Sequence, residues 1–489
     1  MFPETGARHA SPLFFVFLLA AQPQDLALKS RQAKELMAAE RYAEAVPIYA
    51  ELVRAVPNNP GLILNLGLAQ QMAGQHRDAI RQFEAALKLQ PDLYPAWASL
   101  GASYVDLGEP VKAITPLEKA LALAPREPGP RQMLGEALYS IGRFEPAARQ
   151  FQQLSEMEPG NPRAWRLLGE SYEALAQRAF ERLDKLGQGS AWWLALVAET
   201  RLSQQQYGAA FALYREALAK MPAMRGVHAA LAEIYRSTGH PDWAATEQKK
   251  EPRPPDCARP TLECAFRAGR FLEAARGAQS PTLESYYWQC RAYNELARQA
   301  FSGLTQLPPS GELHRFRARM ESGRGRRLEA ANQLREALKL TPRDPQLRIE
   351  LAAALRAGRD HQGAQAVLEE LLRADPEAAP LNFMYGDTLL SLEQPEKAIP
   401  YLEKALRRDP KQLRVRASLG VAYARTGQAE RAIPHLKAAL ELDADGSLHY
   451  QLARAYQATG QGELAKPILQ KYQELQQRAQ PEKPQITPP

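Results

Sequence analysis

The sequence predicts an all-α fold, a solenoid built from repeated antiparallel helix pairs. Three observations predict it. Small residues recur at one fixed interval: Gly67, Gly101, Gly135 and Gly169 stand 34 apart, as do Ala45, Ala79, Ala113 and Ala147, and Pro57, Pro91, Pro125 and Pro159. Large apolar residues between them, such as Leu66, Phe83 and Leu87, fall at helical spacing. The chain of 489 residues is far longer than one ordinary core requires, and the repeat fills nearly all of it.

Each part of the unit has a physical reason. Units start at 26, 60, 94, 128 and 162, then at 191 and 225, then at 311, 345, 379, 413 and 446. Their eighth residue is always Gly or Ala, and their twentieth is Ala except in the unit at 162. Two antiparallel helices approach closely only where side chains are small, so these positions mark the crossing. Gly74, Gly108, Gly142, Gly239, Gly427 and Gly460 sit at the end of a first helix, where a positive φ is needed. Proline at the unit end stops the second helix. One pair cannot bury its own apolar face, so stability comes from stacking neighbours.

The stretch Tyr94–Pro125 resembles the tetratricopeptide repeat. Trp97, Leu100, Gly101, Tyr104, Gly108, Ala113, Ala120 and Pro125 match that family's W-x2-L-G-x2-Y pattern with its downstream small residues and proline. Leu117 stands where the family often has an aromatic. The resemblance runs from about residue 26 to 475 and is to the large multi-repeat proteins of bacterial type. It implies a right-handed superhelix whose first helices line a concave groove for a protein or peptide segment. The family's Lys and Asn clamp for chaperone tails does not match: Ser30 and Lys34 stand at the first clamp positions, and only Asn65 fits in the second unit.

Several segments depart from the repeat. Residues 1–22 read as a signal peptide, because "PLFFVFLLAA" (Pro12–Ala21) follows Arg8 and His9 and ends in small residues. Ten apolar residues are too few for a membrane span, which takes roughly 20. Cleavage there would make the protein periplasmic or secreted; without cleavage it would be cytoplasmic. The first array covers 26–250 and the second 261–478, separated by a break at 251–260 with Pro252, Pro254, Pro255 and Pro260. The second array opens with a degenerate unit around Gly269 and Ala274, and the proline-rich tail 480–489 reads as disordered. The unit at 162 has only 29 residues and a twin at 283–310, with Tyr172, Leu175, Ala179, Phe180 and Leu183 matching Tyr293, Leu296, Ala300, Phe301 and Leu304. Each is expected to keep a second helix after a shortened turn.

The residues carry no catalytic pattern. The eight histidines lack metal-ligand spacing, and there is no phosphate loop, nucleophile elbow or zinc-protease helix. No length remains for a catalytic domain, so no enzyme activity, cofactor, metal or small-molecule substrate is expected. Cys257 and Cys264 read as one helix, about 10 Å apart and too far to pair. A disulfide, if present, would join Cys290 to either of them. The net charge of +7 is a mild bias, and "RFRARMESGRGRR" (Arg315–Arg327) has only Phe316 for base stacking, which disfavours nucleic acid.

The groove is the informative surface. By register it presents Glu136, Glu170, Glu199 and Glu233 in the middle units, then Arg315, Arg319, Arg356, Arg414, Arg425 and Arg454. Early units are neutral there, with Ser99 and Ala102. This change of sign fits a partner segment of matching charge asymmetry. The function expected is a non-enzymatic protein-binding scaffold outside the cytoplasm. The alternatives are a cytoplasmic adaptor and an anion-binding repeat protein for nucleic acid or acidic polysaccharide.

Overall fold

A computed structural model describes residues 23–258, 261–276, 281–478 and 485–489. The expected signal peptide lies outside them. The described residues form 26 α-helices and one 3-10 turn, with no strand. The chain makes two compact units, Met1–Ser171 and Tyr172–Pro489.

The first unit stacks α1 (Pro23–Ala38) with α2 (Tyr42–Ala55), α3 (Pro60–Met72) with α4 (His76–Leu89), and α5 (Tyr94–Asp106) with α6 (Pro110–Leu123). It ends with α7 (Pro128–Ser140), α8 (Phe144–Met157) and the start of α9 (Pro162–Gly187). The second continues with α10 (Ala191–Ser203), α11 (Tyr207–Lys220), α12 (Val227–Ser237), α13 (Pro241–Gln248), α14 (Leu262–Arg267) and α15 (Phe271–Arg276). After α16 (Leu283–Thr305) come α17 (Gly311–Gly323), α18 (Arg327–Leu340), α19 (Pro345–Ala357) and α20 (His361–Ala374). The last are α21 (Ala379–Ser391), α22 (Pro395–Arg408), α23 (Leu413–Arg425), α24 (Ala429–Ala439), α25 (Ser447–Ala458) and α26 (Gly462–Arg478).

Local chemistry sets the pairs. Asn59 caps α3 by accepting a hydrogen bond from the Leu62 amide, and Pro60 opens the helix. Gly101 lets α5 meet α6: a Cβ there would lie 2.5 Å from Leu117. The fifteenth residue of a regular unit makes the turn, with Gly74, Gly108, Gly142, Gly239, Gly325, Gly427 and Gly460 at φ of 70–86°. Glu40, Gln205, Arg359 and Glu393 hold the same left-handed turn at 58–63° despite their side chains. The core then passes from unit to unit, as where Leu64, Phe83 and Leu87 pack on Ala96 and Leu100.

Two expectations need correction. The short units have no turn at all: α9 is one helix of 26 residues and α16 one of 23. Their fifteenth residues are Ala176 and Ala297, and alanine favours helix while its Cβ disfavours the left-handed turn. The division between the compact units falls inside α9, and the segment 251–260 belongs to the second unit. The break is stitched over: Glu263 of α14 takes three hydrogen bonds from the Arg225 guanidinium at 2.7–2.9 Å, and Glu251 accepts from the Gly226 and Ala229 amides. Finally, the end of the tail is placed. Thr487 accepts a hydrogen bond from Tyr235.

Candidate functional site

The two fused helices and α10 build a cleft. In the second compact unit, Tyr172 of α9 stacks on Tyr293 of α16 with ring centroids 6.2 Å apart. These are the twin tyrosines of the two short units. Gly187 takes Leu283 at a distance no side chain would allow, since a Cβ would lie 2.6 Å from it. Ser190 caps α10, and two tryptophans then fix that helix. Trp193 donates to Asp184 of α9 at 2.7 Å, and Trp192 packs on Tyr287 of α16 at 4.9 Å.

Between these helices lies a cleft of about 590 Å³. Ala176, Phe180, Leu196 and Val197 make it partly apolar, and Gln177, Thr200 and Asn294 supply polar groups. Glu173 and Glu199 give it an acidic margin. Glu199 also borders a second cleft of about 350 Å³, with Tyr214, Glu233, Arg236 and Arg291. Arg291 pairs with Glu199 at 3.4 Å, donates to the Tyr287 hydroxyl, and lies over the rings of Phe266, Tyr287 and Trp288 at 4.9–5.5 Å. Burial pushes the Tyr287 hydroxyl up to about 12, with nearby Arg291 opposing the shift. Burial likewise raises the Cys290 thiol to about 12, so it is no nucleophile at neutral pH.

The candidate groove charges are mostly engaged within the chain. Glu136 pairs with Arg163 at 2.8 Å and Glu170 with Arg166 at 2.7 Å. Arg315 donates to Glu350 at 2.9 Å, Arg356 meets Asp387, and Arg425 donates to the Leu390 carbonyl at 3.2 Å. Arg319 reaches Glu173 at 2.8 Å while lying over Phe301 and Phe316. Arg414 is exposed, and Arg454 sits over the Tyr450 ring at 5.9 Å. Of the ten, Glu199 and Glu233 border a common cleft, and Arg319 pairs with Glu173 at the margin of the larger one. Glu173, Gln177, Phe180, Thr200, Arg291 and Asn294 were not legible from repeat register. The twin offset was the signal for Glu173, Phe180 and Asn294, because it aligns Glu173 with Asn294 and Phe180 with Phe301, whereas Thr200 lies outside the twins.

The cysteine expectation is overturned. The bond joins Cys257 to Cys264, with Cα atoms 5.6 Å apart, and Cys290 is free and buried. The proline run keeps Cys257 off the helix, which begins only at Leu262, so the helical separation never applies.

Family models described as tetratricopeptide repeat match residues 36–104, 104–170, 316–379 and 383–447, together more than half of the chain. The chain is a multi-repeat tetratricopeptide repeat protein. The fold of this family is a generally non-catalytic scaffold for protein–protein interaction. A comparison with curated proteins finds no match. Among solved structures, MamA from Desulfovibrio magneticus RS-1 is 26% identical over 35% of this chain and 97% of its own, with a TM-score of 0.32. YrrB, described as a TPR protein with an unusual peptide-binding site, is 18% identical over 39% of this chain and 83% of its own, with a TM-score of 0.27. In this tetratricopeptide chain, no helix among the described residues is long and apolar enough to cross a membrane.

Proposed function

We propose that this scaffold holds a segment of a partner protein in the cleft between α9, α10 and α16, and that it does so without catalysis. The observation that carries the reading is the cleft itself. Its mixed lining is what a binding site requires: apolar contact from Phe180 and Val197 for affinity, and Gln177, Thr200 and Asn294 to fix orientation. Glu173 and Glu199 stand at its margin, each already paired with an arginine of the chain, Arg319 and Arg291. Pull-down of a partner by the intact chain tests this. Glu199→Lys should weaken capture at least tenfold, and undiminished capture would contradict the reading.

We further propose that the protein works outside the cytoplasm. The apolar stretch Pro12–Ala21 and the Cys257–Cys264 bond both support that setting. N-terminal sequencing of protein from its native host should begin close after Ala21; an intact Met1 would contradict export. The anion-binding alternative loses support from the arginine cluster, since Arg315, Arg319, Arg324 and Arg326 are paired with Glu350, Glu173 and Glu321.

A further inference from the structure

The C-terminal residues 485–489, "QITPP", touch the body of the second compact unit 252 residues away in sequence. The Tyr235 hydroxyl donates to the Thr487 carbonyl at 2.9 Å. Tyr235 is itself fully buried, its ring edge-on to Trp243 at 5.7 Å and to Phe211 at 5.8 Å. Trp243 in turn stacks on His240 at 4.0 Å. Ile486 is half-buried, while Gln485, Thr487, Pro488 and Pro489 are exposed. Tyr235 borders neither cleft, so this is a separate surface.

The contact is made through the backbone of a residue that precedes proline. A residue before proline is biased to extended backbone, and the Thr487 carbonyl reaches Tyr235. Pro488 and Pro489 have fixed φ and little freedom to lose on docking. The contact is made by the Thr487 backbone on the Tyr235 hydroxyl and by half-buried Ile486, while both proline rings stay exposed. We propose that the α12–α13 corner around Tyr235, with Trp243 packed on that ring, is a binding site for the chain's own Thr-Pro-Pro segment. The terminus acts as an internal ligand of this site.

Contact quenching tests this on the full chain. A cysteine added after Pro489 is labelled with a dye that tryptophan quenches on contact; Cys290 is buried and the other cysteines are bonded. The intact protein should be quenched, Trp243→Phe should restore the emission, and dilution should change nothing. Tyr235→Phe keeps the ring and removes one hydrogen bond, which is worth about fivefold in the docked-to-free ratio. Excess free peptide of sequence Gln-Ile-Thr-Pro-Pro should restore emission as it displaces the tail. Emission that ignores Trp243→Phe or Tyr235→Phe would overturn the proposal. Quenching lost on dilution would also overturn it, because the ligand would then be the tail of a second copy.

Discussion

Two kinds of repeat unit share this chain, and they differ at one position. In the regular unit of α5 and α6, Gly108 takes φ of 70° and the chain reverses. In the short unit, Ala176 occupies the same fifteenth place, α9 does not reverse, and the residue is buried on the wall of the cleft. The second short unit repeats this with Ala297 in α16. The difference teaches that the turn residue decides whether a unit closes on itself or extends to make a surface. The regular units bury apolar area and pass it on; the fused units hold Glu173, Gln177 and Asn294 along a common cleft.

The contrast can be broken most severely by proline. Ala176→Pro removes a helical hydrogen bond and clashes with the preceding turn, so it should cost about 3 kcal/mol or more by chemical denaturation. Gly101→Ala probes the regular unit instead. Its new Cβ would meet Leu117 at 2.5 Å, and such overpacking typically costs about 1–3 kcal/mol.

A subtler pair sharpens the comparison because the signs oppose. Gln205→Gly should stabilise by about 1 kcal/mol, since Gln205 holds φ of 60° at cost to its side chain. Ala176→Gly at the matching position should destabilise by about 1 kcal/mol, since there the backbone is helical. Equal signs in thermal melts would mean that the two units share one turn geometry.

The smallest expected effect is on pH. Burial, with Arg416 and Arg431 nearby, holds the His435 imidazole below its ordinary value. The folded state therefore binds this proton less readily than the unfolded one. The contribution is present above the ordinary imidazole pKa and fades as pH falls below it. Melts of His435→Gln should lose less stability than the parent between neutral pH and pH about 5.

The repeat was legible because its constraints are local. Gly101 against Leu117, Gly108 in the turn and Ala113 at the crossing each follow from one residue's size or backbone freedom. Proline at 252, 254 and 255 likewise announced a break in helix. What stayed hidden depends on residues distant in sequence. Arg225 finding Glu263 ties the break together, and Arg315 finding Glu350 turns a groove charge into an ion pair between units. The short units were read as two helices because Ala179 and Leu183 keep second-helix spacing. A continuous helix keeps that spacing equally well, so only the missing turn residue distinguished the two.

Site-specific photocrosslinking tests the central claim most directly. A crosslinking side chain is placed at Gln177 or Thr200, inside the cleft, and at Arg182, on α9 but outside its lining. The account predicts one partner joined from Gln177 and Thr200, absent from Arg182, and lost when Glu199→Lys is added. Crosslinks that survive Glu199→Lys, or that form from Arg182 as readily as from Thr200, would contradict it.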